Sequence, residues 1–315
     1  MKLQKKAPEK EIPIFFSTDD NYIPYLDIAI SSLIENASKN YKYRLVILNT
    51  GLNQEGIDKI KRNENDIFKI DFVDISKEVE NIKDRFKNVY HFSVVTYYRL
   101  FIASLFPQYD KIVYLDCDLV VLGDISELYH TELNGNIFAA AVEQYTQQTK
   151  EFQAYVKNAI GVNPSTYINA GVLVIDLEQF RKHKIEEKFV HLISEYDFDV
   201  VDPDQAYLNY LCYEKILILP TGWNKVSLPT PPEGKLNIVH FALYKKPWQY
   251  DDVINGEHFW KYAEKSPFYD EILKEKNSFS KEEMVEREQA AAHILEHTLE
   301  LADSDYTFAK KLTRE

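Results

Sequence analysis

The stretch 111–122, KIVYLDCDLVVL, decides the fold. Residues 111–115 and 119–122 are unbroken apolar runs, and between them stand Asp116, Cys117 and Asp118. A short strand that is apolar on both sides belongs in the middle of a sheet covered by helices on both faces. Alternate residues of an extended segment point the same way. The two carboxylates therefore share one side while Cys117 points back to the core. Two hard oxygen donors at the C-terminal end of a parallel strand suit Mg²⁺ or Mn²⁺ carrying a phosphorylated ligand. The Asp-x-Asp spacing selects nothing by itself, because it recurs at Asp197/Asp199, Asp202/Asp204 and Asp303/Asp305. The flanks do the selecting: two carboxylates between IVYL and LVVL are costly to bury unless a cation or hydrogen-bond donors pair with them.

Working outward, strand-type runs at 12–17 (IPIFFS), 44–48 (RLVIL), 67–73, 137–142 and 171–177 alternate with helical patterns at 25–34, 54–62 and 93–105. Pro24 sits where a first helical turn tolerates proline, and Pro107 marks a helix end. This alternation predicts an α/β fold with a mostly parallel central sheet flanked by helices. Past about residue 274 the strand signal vanishes. Ser280 and Glu283 form a capping box, and Met284, Ala291, Leu295, Thr298 and Ala302 trace one helical stripe. The expected organisation is one domain over residues 1–275 and a helical C-terminal extension over 276–315, a segment suited to a protein partner or to self-association.

Composition narrows the function. The 315 residues carry 37 basic and 50 acidic side chains, a net charge of −13, which argues against nucleic acid and against binding to anionic lipid. Neither GxGxxG nor GxxxxGK[ST] occurs, which removes the Rossmann fingerprint and the P-loop. Two cysteines make no disulfide framework, the charged N-terminus is not a secretory signal, and no run approaches a membrane span. The expectation is a cytoplasmic protein without a transmembrane segment.

Three further places carry chemistry. His240 closes the apolar run 236–239 and precedes Lys245, Lys246, Pro247 and Trp248; a histidine can complete a site begun by two carboxylates, and a lysine can neutralise a leaving diphosphate. Asp202, Asp204 and Gln205 open a helix, where an aspartate ordinarily caps free N–H groups but an amide or carboxylate pair can also take sugar hydroxyls. His293 and His297 stand four apart, yet HILEH lacks the glutamate position of HExxH, so zinc is not expected there.

Together these residues resemble glycosyltransferase family 8, the retaining GT-A enzymes that include bacterial lipopolysaccharide galactosyl- and glucosyltransferases. The likeness runs over residues 12–265 in six segments in order: FFSTDDNY (15–22), TYYRL (96–100), YLDCDLVV (114–121), NAGVLVIDL (169–177), DPDQAYLN (202–209) and HFALYKKPW (240–248). The resemblance implies a GT-A fold, a UDP-hexose donor and one Mn²⁺ or Mg²⁺ held by Asp116, Asp118 and His240. It implies that Ser17, Asp19, Asn21 and Tyr22 hold uridine, that Arg99 and Lys246 reach the ribose–diphosphate, and that Cys117 lies on the donor-binding strand end. Glu143, Asn169, Asp204 and Gln205 would line the sugar, with Gln205, Asp204 and Lys246 as the catalytic group. Glu143 stands where many members have aspartate, and Leu243 replaces a family glycine, which bears on how the loop approaches the diphosphate.

The function this implies is transfer of glucose, galactose or N-acetylglucosamine from a UDP-sugar to a glycan acceptor on a bacterial surface glycoprotein or a lipid-linked saccharide. Two other readings compete. A non-catalytic sugar-nucleotide or glycan-binding protein is suggested by Leu243 but not by the intact Asp116, Asp118, His240 and Lys246. A metal-dependent nucleotidyltransferase would leave the NAG, DQ and KPW segments without a role.

Overall fold

The computed structural model describes residues 11–80 and 94–312. Ten strands are present among them: β1 (Glu11–Ser17), β2 (Lys42–Asn49), β3 (Phe68–Asp74), β4 (Lys111–Leu115), β5 (Leu119–Val121), β6 (Phe138–Ala141), β7 (Val172–Asp176), β8 (Ile216–Leu219), β9 (Lys225–Val226) and β10 (Ile238–His240). Seven form the central sheet in the order β3-β2-β1-β4-β7-β6-β8, and β5, β10 and β9 make a small second sheet. Pairing is parallel at β3-β2, β2-β1, β1-β4 and β6-β8, while β7 runs antiparallel to both its neighbours. This is the mostly parallel, helix-flanked sheet that the alternation of runs predicts.

The doubly apolar strands divide their side chains between two cores. Phe15, Val46, Leu48, Ile112 and Tyr114 face one, whereas Ile14, Phe16, Leu45, Ile47, Val113 and Leu115 face the other. The period of two along each strand makes this division, and it holds the register of the sheet, since a one-residue slip would exchange the two sets.

Most elements lie where their patterns put them. Ile23–Asn36 is helical with Pro24 in its first turn, and Gln54–Lys61 follows as expected. The run expected as one helix over 93–105 differs: Ser93 lies outside the described residues, Val94–Phe101 is a 3₁₀ helix, and only Ile102–Leu105 is α-helical. Val94, Val95 and Thr96 are β-branched in succession, which weakens an α-helical start, and the tighter coil lets Arg99 Nε donate to Thr96 O at 2.9 Å.

The C-terminal stretch is helical, as the pattern predicts. Tyr269–Ser278 leads to the long helix Lys281–Asp303, whose start carries the Ser280–Glu283 capping box. Within the expected stripe Thr298 and Ala302 are buried, joined by Leu301. Leu301 and Phe308 enter the core shared with the sheet, where Phe308 stacks on Phe198 at 4.4 Å and meets Tyr207 edge-on. Phe308→Ala is expected to lower unfolding stability by about 3–5 kcal/mol, the usual cost of removing a buried aromatic ring. Urea denaturation measures it, and a loss below about 1 kcal/mol would show that the tail does not share the core.

Candidate functional site

The strand ends assemble the site. The Asp116 amide donates to Gly171 O at 2.8 Å, tying the end of β4 to the residue before β7. The chain then crosses into β5, which pairs antiparallel with β10 so that Leu119 stands opposite His240. This register brings the imidazole to the carboxylates. His240 Nε2 lies 3.1 Å from Asp118 Oδ1 and 3.7 Å from Asp116 Oδ2. Asp116, Asp118 and His240 offer ligand atoms within 4.8 Å of one another, the one such cluster of three among the described residues.

Four observations show that this donor set fits a hard divalent cation. Asn224 Nδ2 donates to Asn169 Oδ1 at 2.8 Å, which turns Asn224 Oδ1 toward His240 Nδ1 at 2.9 Å. The hydrogen-bond network thus assigns a ring proton to Nδ1 and aims Nε2 at two carboxylates, a position that either a second ring proton or a cation completes. Gly171 gives the second observation: a Cβ there would stand 2.2 Å from His240 Cε1 and 2.6 Å from Asp116 Oδ2. Third, Asp204 Oδ2 is buried without a hydrogen bond. Its neighbour Arg99 Nε, at 3.0 Å, makes an ion pair without hydrogen-bond alignment. Charge is the fourth: apart from the His240 ring, Asp116, Asp118 and Asp204 meet Arg99 and Lys246, so three carboxylates face two permanent cations.

Those two cations are spent inside the site. Lys246 Nζ donates to Asp118 Oδ2 at 2.7 Å and to Phe241 O at 2.5 Å. Burial alone would raise the Asp118 carboxyl, but Lys246 and His240 outweigh it and hold the group well below the usual carboxylate range. Arg99 is 3% exposed, donates to Asp116 Oδ1 at 2.8 Å and to Ala170 O, and lies over the Tyr114 ring at 4.3 Å. Burial opposes its charge, yet Asp116 and Asp204 raise its pKa further. Burial pushes the Asp204 carboxyl up, and Arg99 only partly offsets this.

A second set continues the wall. Glu143 caps the helix Gln144–Gln148 through the Tyr145 amide and accepts from Asn169 Nδ2 at 2.5 Å. Asn169 Oδ1 also accepts from the Gly171 amide at 2.9 Å. A continuous chain of hydrogen bonds therefore runs Glu143–Asn169–Asn224–His240–Asp118–Lys246. At the other end, Asp19 Oδ1 accepts from the amides of Asn21 and Tyr22, which shapes the loop after β1. Burial, then the Asp118 charge, raises the Tyr22 phenol.

A single cavity collects these groups. Ser17, Asp19, Tyr22, Arg99, Asp116, Cys117, Asp118, Glu143, Asn169, Asp204, Gln205, His240 and Lys246 all line it. Asn21 is the exception among the sequence candidates: it is exposed and lies outside the lining. Cys117 is buried with its thiol 3.1 Å from Ser17 O, so the thiol links β1 to the strand end. Leu243 lines the cavity without left-handed backbone, so the residue that replaces glycine imposes no strain there. Asp202 makes no capping bond with its side chain, which turns inward instead. Ala291 and Ile294 bring the C-terminal helix to the same cavity. His293 and His297 pair with Glu296 and with Asp199 and Glu300, away from it.

Sequence reasoning missed Asn224 and Gly171 as parts of the candidate metal site. Neither carries a local signal: Asn224 lies 16 positions from the histidine it orients, and Gly171 matters only because two side chains from distant strands close over it.

This fold and this constellation define a GT-A glycosyltransferase. The family model for glycosyl transferase family 8 matches residues 13–252, and the chain belongs to that family. It is 29% identical over 255 residues to general stress protein A of Bacillus subtilis, covering 73% of this chain and 85% of that one. Lipopolysaccharide 1,2-glucosyltransferase of Escherichia coli is 26% identical over 265 residues, 77% of this chain and 75% of that one. The galactosyltransferase LgtC, solved with donor and acceptor sugar analogs, superposes with a TM-score of 0.67 at 23% identity, over 81% of this chain and 96% of that one. The chain is thus an enzyme of sugar transfer whose relatives include hexosyltransferases. No helix among the described residues is long and apolar enough to cross a membrane.

Two substitutions test the donor set. Asn224→Ala removes the group that orients His240 and is expected to weaken Mn²⁺ affinity about 10- to 100-fold, as loss of such supporting partners does. Gly171→Ala drives a methyl into His240 and Asp116 and is expected to do the same or more. Titration of Mn²⁺ followed by electron paramagnetic resonance reads both, and unchanged affinity in both variants would remove the cluster as a metal site.

Proposed function

We propose that the chain is a retaining, Mn²⁺-dependent hexosyltransferase that moves glucose, galactose or N-acetylglucosamine from a UDP-sugar to a glycan acceptor, extending a bacterial surface glycoprotein or a lipid-linked saccharide. One observation carries the reading. Asp116, Asp118, His240 and Lys246 line the same cavity as Glu143, Asn169 and Gln205, two sets joined through Asn224. The first set suits a diphosphate with its cation, and the second suits the hydroxyls of a hexose.

Mn²⁺ held by Asp116, Asp118 and His240 would supply Lewis-acid stabilisation of the diphosphate charge as the glycosidic bond breaks. Asp118 positions Lys246 Nζ beside that charge, a fixed donor needing no rearrangement during reaction. Ser17, Asp19 and Tyr22 form the uridine end, and Arg99 holds Asp116 and Asp204 in place from beneath. Glu143 and Asn169, already locked to each other, present acceptors and donors to sugar hydroxyls. Gln205 is an amide, a poor nucleophile, and Asp204 is engaged by Arg99. The residues therefore favour front-face attack through an oxocarbenium-like state, with a departing phosphate oxygen taking the acceptor's proton. Ala291 and Ile294 of the C-terminal helix would border the acceptor. The two free, buried thiols suit a reducing cytoplasm.

The test is UDP release from a panel of UDP-sugars with Mn²⁺, with EDTA as control. Metal-dependent release from one donor is expected, and it names the sugar. Gln205→Ala is expected to lower kcat about 10- to 100-fold while leaving measurable turnover, the loss of a positioned amide rather than of a nucleophile; complete loss would favour a covalent intermediate on Gln205. Ala291→Trp, which narrows the acceptor side, is expected to slow transfer at least about tenfold while hydrolysis of the donor stays within about twofold. Equal losses in both would remove the helix from the acceptor site.

A further inference from the structure

Gln205 is held by two groups of opposite character. Its Nε2 donates to Asp202 Oδ2 at 3.0 Å, and its Oε1 accepts from the Ala170 amide at 3.1 Å. An ionised carboxylate only accepts and a backbone N–H only donates, so this amide cannot flip without losing both bonds. Asp202 is itself buried, and two phenols converge on it: Tyr155 OH donates to Oδ1 at 2.9 Å, and Tyr167 OH donates to Oδ2. Three donors thus enter one carboxylate that makes no helix cap and belongs to none of the metal ligands.

We propose that Asp202 is the positioning residue of the transfer reaction, an acceptor anchor that fixes the Gln205 amide with its oxygen turned toward the cavity beside Ala170. The proposal rests on the transferase reading above. It explains why a carboxylate is kept in a buried position where an aspartate's usual capping role is absent.

The groups around Asp202 set when the anchor holds. Tyr155 comes from the helix Lys150–Tyr155, Tyr167 from the segment before β7, and Gln205 from the helix Pro203–Leu211. Glu143 adds a like charge, and Asp199 acts on Tyr155. Burial pushes the Asp202 carboxyl up to about 7, with Tyr167, Tyr155 and Gln205 opposing and Glu143 assisting. A protonated Asp202 loses the charge that strengthens all three of these bonds, the one to Gln205 included. The grip on Gln205 therefore weakens as pH falls through about 7 and is full above it.

The experiment follows kcat and donor KM against pH in the wild type, Asp202→Asn and Tyr155→Phe. Asn keeps the shape of aspartate but replaces one acceptor with a donor that faces Gln205 and Tyr167. Asp202→Asn is expected to lose about 10- to 100-fold in kcat, the scale of a misplaced reacting group, with donor KM within about threefold and the limb near pH 7 gone. Tyr155→Phe removes a bond that favours the charged carboxylate, so its limb moves to higher pH while kcat on the alkaline plateau stays near wild type. Should Asp202→Asn fail to fold, the Tyr155→Phe limb decides alone, and a limb that does not move overturns the assignment. Wild-type kcat and an unchanged limb in Asp202→Asn would overturn it while leaving the transferase reading intact. No donor turnover by the wild type under any condition would sink the transferase reading, and the assignment with it.

Discussion

The organising constraint is the cost of burying carboxylates at the end of a central strand. Asp116 and Asp118 follow directly on β4, whose own residues are packed on both faces. The side chains of Asp116 and Asp118 are 26% and 12% exposed, so unpaired charges there would be costly, though less so than a fully buried ion. The surrounding structure answers that cost locally. Arg99 comes from the 3₁₀ helix, Lys246 from the loop after β10, and His240 from the small sheet. With His240 neutral one negative charge is left in excess, which a divalent cation would turn into a net positive centre suited to a diphosphate.

The same constraint accounts for the architecture of the small sheet. A parallel α/β sheet alone would leave Asp118 at a strand terminus facing solvent. The turn into β5 and its pairing with β10 instead fold the chain back, so that the register of three residue pairs fixes His240 against Asp118. The orienting asparagine then follows β10's other neighbour, since Asn224 immediately precedes β9. Geometry at the candidate metal site is in this way inherited from strand register, which is more exact than placement by loops.

Much of this was legible in the sequence. Doubly apolar runs gave the central strands because burial on two faces removes the polar alternation, and the capping box gave the start of the long terminal helix. Asp116, Asp118, His240, Lys246 and Gln205 stand in ordered segments that carry their own signal. Other features were not legible. The 3₁₀ coil at Val94–Phe101 depends on β-branched crowding that a helical pattern does not register. Asn224, Gly171 and the Tyr155–Tyr167 pair act only through neighbours brought from other elements. Asp202 looked like a cap because its position is a cap's position; only the packing of two tyrosines reveals that its side chain turns inward.

The most direct measurement of the central claim is calorimetric titration of UDP into the protein with Mn²⁺ and then with EDTA, repeated in Asp118→Asn. Binding that requires Mn²⁺ and weakens at least about tenfold in the variant, the usual scale for a disturbed metal site, is the predicted result. UDP binding of equal strength with and without metal, untouched by Asp118→Asn, would contradict a cation–diphosphate site at the end of β4.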